Sequence, residues 1–195
     1  MDMSCFGSLC SAVVLSLAAT SALAQSEAEH LAKQLSNPVA DLISVPFQFN
    51  YDHDLGPQED GQRYYVNFQP VVPLTIDDDW NLISRTIVPY IFQDDVTPNP
   101  GNSGIDDSQS GLGDITQSLF VSPKAPGSFG DIWGLGPVFQ LPFASDDVLG
   151  TEKISVGPTG VALRQSGPWT YGILANHLWS VAGDDAREDV SATFL

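Results

Sequence analysis

Ile43-Ser44-Val45-Pro46-Phe47-Gln48-Phe49-Asn50-Tyr51-Asp52 places an apolar side chain at every odd position and a polar residue or proline at every even one. Successive side chains of a strand point to opposite faces, so the segment has one greasy face and one wet face. In a water-soluble sheet the greasy face packs on a core. In an outer-membrane barrel it meets lipid, and about ten residues is the length a tilted strand needs to cross.

Working outward, strands are expected at 42–53, 63–74, 80–93, 114–122, 131–143, 153–164 and 169–181, with an eighth starting at Val190. The connections 54–62, 94–113, 144–152 and 182–189 are long and acidic, whereas 75–79, 123–130 and 165–168 are generally shorter. Long and short alternate, as extracellular loops and periplasmic turns do in an up-and-down barrel, and the phase suits a periplasmic N-terminus. In the second strand Tyr64, Val66, Phe68, Val72 and Leu74 oppose Tyr65, Asn67 and Gln69. In the third, Leu82, Val88, Tyr90 and Phe92 oppose Asn81 and Arg85, while Ile83, Ile87 and Ile91 blur the contrast. In the fourth, Ile115, Leu119 and Val121 oppose Asp114, Thr116 and Ser118. Trp80, Trp133 and Trp169 begin strands that leave short connections, and Tyr51, Tyr64, Tyr90, Phe92, Phe143 and Trp179 fall near the opposite ends. Two aromatic belts are what two membrane interfaces call for. Pro46, Pro70, Pro89, Pro137 and Pro158 lie inside five of the strands. Proline cannot donate to a ladder, so each predicts a kink or bulge, with Gly136-Pro137 and Gly157-Pro158 suited to bends.

Residues 1–24 read as a secretory signal, with an apolar run from Leu9 to Ala19 and Ala22-Leu23-Ala24 before Gln25, though the segment has Asp2 and no Lys or Arg. Residues 25–40 hold a short helix and linker: Ser26 and Glu29 make a capping box, and Asn37-Pro38 ends the helix. Residues 41–195 are the barrel domain. Cys5 and Cys10 are the only cysteines, so the processed chain has no thiol for a disulfide or a metal. The formal charge of −17 argues against a nucleic-acid partner. No later segment has ~18 consecutive apolar residues, which excludes a helical membrane span by sequence. The 17 Gly and 14 Pro fit an all-β chain.

Catalytic signatures are lacking: there is no Gly-x-Ser-x-Gly elbow, no His-Glu-x-x-His and no phosphate-binding Gly loop, so neither an enzyme nor a cofactor is expected. The acidic pairs Asp94-Asp95, Asp106-Asp107 and Asp184-Asp185 are weak surface candidates for Ca²⁺ or Mg²⁺, and none matches the EF-hand pattern. A cation facing lipid at mid-depth costs about 2–4 kcal/mol, so Arg85 is expected to point into the lumen towards Asp114 or other acids. Arg164, at a strand end, is expected to reach the interface. The wet faces then give the candidate lumen lining: Gln48, Asn50, Asn67, Gln69, Asn81, Arg85, Asp114 and Thr116.

The run from Leu35 to Tyr51, the segment from Trp80 to Tyr90, Ser110-Gly111-Leu112-Gly113-Asp114, and Trp169-Thr170-Tyr171-Gly172 with Asn176-His177 resemble the MetA-pathway phenol-degradation family of bacterial outer-membrane β-barrels, relatives of which often carry the label "neuromedin U". The resemblance implies a Gram-negative outer-membrane barrel distantly similar to hydrophobic-compound transporters. It brings no catalytic residues. Members continue beyond the position of Leu195, which implies a C-terminally truncated chain. The resulting expectation is an antiparallel up-and-down transmembrane β-barrel of about eight strands, seated in outer-membrane lipid and lipopolysaccharide. It would pass small hydrophobic or aromatic compounds by passive diffusion. A secreted soluble β-sandwich or lipocalin-like binding protein, with the same apolar faces forming a core, is the alternative.

Overall fold

The computed structural model describes residues 31–32, 39, 42–56, 59–96, 108–128, 131–167 and 169–195. The expected signal at 1–24 lies outside the described residues, as does the expected helix, apart from Leu31 and Ala32, which are helical.

Ten strands make one antiparallel sheet: β1 (Phe47–Leu55), β2 (Gly61–Phe68), β3 (Val71–Thr75), β4 (Trp80–Asp94), β5 (Ser108–Leu112), β6 (Ile115–Pro123), β7 (Asp131–Leu141), β8 (Lys153–Ser166), β9 (Trp169–Gly183) and β10 (Ser191–Phe194). The order is β1-β2-β4-β6-β7-β8-β9-β10, with β3 and β5 also paired to β4. Neighbours in sequence are neighbours in space, which is up-and-down connectivity. Gln48 of β1 and Phe194 of β10 line one cavity, so the sheet curls into a half-barrel. It is open among the described residues, because β1 pairs only with β2 and β10 only with β9.

One expected strand and one expected connection are corrected, the first at a proline and the second at a glycine. The segment expected as one strand at 63–74 is broken at Gln69-Pro70 into β2 and β3. Phe68 opposes Val88 and Val71 opposes Arg85, so the register runs through the break unshifted. The Pro70 ring supplies no donor, but its carbonyl still accepts from the Thr86 N–H at 3.0 Å. The connection expected at 94–113 contains β5, which lies against the far half of β4. Tyr90 opposes Leu112 while Ile87 opposes Thr116, so one extra residue enters between β5 and β6. That is a β-bulge at Gly113-Asp114. The first strand also starts later than expected, at Phe47, although Ser44 still bridges to Val71.

The expected kinks at Gly136-Pro137 and Gly157-Pro158 fall side by side, since Pro137 opposes Pro158. Both outer ladders lapse there: β6–β7 registers Ser118 with Val138 and Val121 with Leu135 but nothing between, and β8–β9 skips from Val156 to Thr159. Glycine precedes each proline because the neighbouring backbone closes in. A Cβ at Gly136 would overlap the Leu119 carbonyl oxygen, and one at Gly157 the His177 carbonyl oxygen.

Register assigns every side chain to a face. Phe47, Phe49 and Tyr51 sit opposite Phe68, Val66 and Tyr64, and these oppose Val88, Tyr90 and Phe92 on β4. All belong to the outer face, where Phe49 is 79% exposed and Ile43, just ahead of the strand, 67%. Leu135, Ile173, Trp179 and Val181 extend that exposed apolar surface across β7 and β9. The inner face holds the buried residues. At the end of the sheet with the short connections, Val71, Ile83, Phe120, Val161 and Leu163 pack with Val39, and Ile132 and Leu174 lie against them. The remainder of the inner face is largely polar. Water-soluble sheets place these classes the other way round.

Candidate functional site

Seven of the eight candidate residues lie on the middle and long-connection end of the inner face, and four of them form one hydrogen-bonded chain. Arg85 donates from Nη2 to Gln69 Oε1 at 2.6 Å, and Gln69 Nε2 donates to Gln48 Oε1 at 2.7 Å. Gln48 Nε2 then donates to Asn50 Oδ1 at 2.9 Å. The chain crosses from β4 through the β2–β3 break to β1, and because register persists across the break, Gln69 stays on the inner face with Tyr65 and Asn67. Each amide turns its oxygen towards the guanidinium, so the charge is solvated by dipoles. The expected approach of Arg85 to Asp114 does not occur. Among the described residues no carboxylate lies within ion-pair distance of Arg85. Asp114 is turned aside by the bulge.

Nearer the long connections the motif recurs. Arg63 donates from Nε to Gln93 Oε1 at 3.1 Å, and Gln93 Nε2 donates to Gln109 Oε1 at 2.9 Å. Asp52 faces Arg63 by register, yet the two form no ion pair.

Asp114 has a different task. Its carboxylate accepts from the Thr151 N–H and the Thr151 hydroxyl, both at 2.7 Å, and from Gln140 Nε2 at 3.4 Å. These bonds hold the β7–β8 connection, 142–152, over the inner face. Ser145 bonds the backbone of Leu112, and Leu149 is buried at the side-chain-free surface that Gly111 and Gly113 leave. A second connection is tied to it. Arg187 pairs with Glu152 at 2.6 Å and donates to the Asp147 carbonyl, while Lys153 Nζ meets Asp189 at 3.2 Å.

Two cavities open on this face. One, of about 500 Å³, lies under the 142–152 connection and is lined by Asp52, Arg63, Tyr65, Asp114, Leu149 and Thr151, among others. The other, of about 400 Å³, is lined by Gln48, Arg85, Asn176, Leu174, Leu178 and Leu195, among others. Asn67, Ile87, Thr116, Gln140 and Phe194 line both, so they are one continuous space. Of the eight candidates, Gln48, Asn67, Arg85, Asp114 and Thr116 line this space, while Asn50 and Gln69 stand behind it as hydrogen-bond partners. Asn81 lies apart, buried opposite Ser122 near the short connections.

Sequence pattern did not reveal the walls contributed by Gln140, Asn176 and Phe194. Gln140 does sit between Phe139 and Leu141, an alternation that marks it in hindsight, but the glycines and prolines of β7 and β8 obscure the period. Ile87 and Ile91, which blurred the contrast on the third strand, are inner-face residues lining the first cavity.

The outer face carries aromatic clusters at both ends. Trp80 and Trp133 meet edge-on at 5.8 Å at the short-connection end. Tyr51 stacks on Tyr64 at 4.6 Å, and Tyr90 lies 4.9 Å from Phe92, at the other. Arg164 sits on this face at the short-connection end, paired with Asp131 at 2.5 Å. The polar residues in mid-wall satisfy one another: Gln117 accepts from the Thr86 hydroxyl and donates to Ser84 Oγ. Among the described residues no group of three or more His, Cys, Asp or Glu side chains is placed to hold a metal ion. Asp106 and Asp107 lie outside those residues, and Asp184 Oδ1 accepts from the Ala186 N–H in its own turn. No helix among the described residues is long and apolar enough to cross a membrane, which says nothing of a strand-built span.

No family model, curated protein or solved structure matches this chain. The class is therefore stated from geometry: an antiparallel half-barrel sheet with an apolar outer face and a polar, cavity-bearing inner face.

Proposed function

We propose that the chain forms the wall of an outer-membrane β-barrel, seated in outer-membrane lipid and lipopolysaccharide, that gives small hydrophobic or aromatic compounds a passive route. The observation that carries this reading is the inverted polarity of the sheet. Large apolar side chains such as Phe47, Phe49, Leu135 and Ile173 stand exposed on the outer face, while Gln48, Asn67, Arg85 and Thr116 line the cavity of the inner one. Exposing so much contiguous apolar surface to water is unfavourable, and lipid removes the cost.

The spacing of the aromatic clusters supports it. Trp80 and Tyr90 stand ten residues apart on β4, about 33 Å along a strand and about 25 Å along the normal at the tilt usual for barrels, the height of an apolar band. The resemblance to the phenol-degradation family of outer-membrane barrels points the same way.

Single-channel recording of the purified chain in planar bilayers tests the proposal. Discrete conductance steps are expected, and absence of both conductance and substrate uptake refutes a transport role. The inner-face cluster around Phe120 favours a second reading, a secreted binding protein with a greasy interior. Cell fractionation separates the two, since a secreted binder is released without detergent.

A further inference from the structure

We infer that the inner cavity is a binding site for small organic anions, a carboxylate carried on an apolar body, with Arg85 as the carboxylate-binding residue. The inference deepens the channel proposal and rests on it only for the route by which a ligand arrives.

The chain has 24 acids against seven Lys and Arg, so a strand arginine without an acid is not a matter of scarcity. Both inner-face arginines, Arg63 and Arg85, are held by glutamine oxygens, and neither has a carboxylate within ion-pair distance among the described residues. A guanidinium has five N–H donors in a planar fork. The Arg85 guanidinium uses one nitrogen, Nη2, on Gln69 and has no other hydrogen-bond partner among the described residues, while Arg85 lines the 400 Å³ cavity. The Gln69-Gln48-Asn50 relay fixes the head in place without neutralising it. A positioned, uncompensated fork is what a carboxylate recognises bidentately.

The same cavity supplies the other half of the ligand. Ile87, Leu174, Leu178 and Phe194 give it apolar surface from β4, β9 and β10, and its volume suits a single substituted ring or a short alkyl chain. Two carboxylates line the adjoining cavity: Asp114 is occupied by Thr151 and Gln140, which damps its repulsion, and Asp52 stands opposite Arg63 by register, away from Arg85's own cavity. Arg63, in the cavity nearer the long connections, offers a first positive site on the way to Arg85.

The test is calorimetric titration of the detergent-purified full chain with three ligands of one shape: benzoate, benzyl alcohol and benzylammonium. Benzoate is expected to bind about tenfold or more tighter than the alcohol, the usual worth of a charge-assisted contact, with the ammonium weakest. Arg85→Gln is expected to bring benzoate and benzyl alcohol to within about threefold of each other. Lys124→Gln, on a short connection, should leave the preference intact. Equal binding of benzoate and the alcohol by the unaltered chain overturns the inference, whether or not the Arg85 variant folds. Arg85→Lys keeps the charge but loses the fork, so it should show an intermediate preference. Channel conductance without benzoate preference defeats the anion site and leaves the channel standing. Benzoate preference without conductance keeps the site and defeats the channel.

Discussion

Asp114→Ala should release the 142–152 connection from the inner face while the sheet stays folded. Two bonds from Thr151 to a carboxylate are lost, each worth about 1.5–3 kcal/mol as a hydrogen bond to a charged group. Both partners regain water once the connection lifts, so the net local loss sits near the lower figure for each, about 3 kcal/mol in all. Burial of Leu149 opposes release with a contribution of the same order, about 1.5–3 kcal/mol, and remains in the variant. The connection should therefore loosen without becoming free. The reporters are the Leu149 and Ser145 amides, which bond Asp146 and Leu112 and never touch Asp114. Their hydrogen exchange, followed by mass spectrometry in detergent, should accelerate roughly a hundredfold, the factor that corresponds to about 3 kcal/mol of local opening. Thr151→Val removes the hydroxyl bond but keeps the N–H, so roughly tenfold is expected. Unchanged protection of Leu149 and Ser145 in Asp114→Ala would refute the reasoning and leave Leu149 burial as the anchor.

Phe120, fully buried in the inner apolar cluster, should cost about 3–5 kcal/mol on truncation to Ala, read from the denaturant midpoint; a loss below 1 kcal/mol would mean that the cluster collapses around the gap. Leu135→Arg puts a cation in the middle of the outer face, and its unfolding in lipid vesicles should show a loss of about 2–4 kcal/mol, against a few tenths for a surface bathed in water. The hydrogen bond from Lys153, then that from the Ser180 hydroxyl, and the Lys153 charge hold the Asp189 carboxyl below the usual carboxylate value. A depressed pKa contributes stability that is present above the unfolded value and lost as pH falls through the folded one. Asp189→Asn should therefore be less stable than the parent at pH 6, and the difference should vanish at strongly acidic pH; a difference that persists unchanged into acid would contradict the pairing.

The faces of the early strands were legible from period-2 alternation alone. Phe47, Phe49 and Tyr51 lie on one face and Gln48 and Asn50 on the other, as do their partners at Tyr64, Val66 and Phe68. That much follows from backbone geometry and requires no partner. The inward face of the candidates was legible for the same reason, but which of them reach the cavity was not: Asn81 lies deep at the short-connection end, and Asn50 and Gln69 stand behind the lining. Alternation fixes the side of the sheet, whereas depth along the wall depends on neighbours. The break at Gln69-Pro70 was visible as a proline in a strand, but not as a join across which register persists. The β5 strand carries too little apolar alternation to announce itself, and β4 recruits it by being long enough to pair with it.

By itself, then, the sequence determined most of the strands, the sorting of polar and apolar residues onto opposite faces and the aromatics near the strand ends, because each depends on local spacing. Only the tertiary structure decided where the charges settled. Arg85 is near Asp114 in expectation, yet the single extra residue of the bulge sends Asp114 to Thr151, and Gln69, presented at the Pro70 break, takes the guanidinium. Which acceptor lies within 3 Å of a donor is set by register, bulge and curl together, and none of these is written in any one segment. The alternation from Ile43 to Asp52 fixed which residues share a face, the pairing of Gln48 with Asn67 brought Gln48 within reach of Gln69, and the curl of the whole sheet turned that face inward and set Gln48 and Phe194 on one cavity.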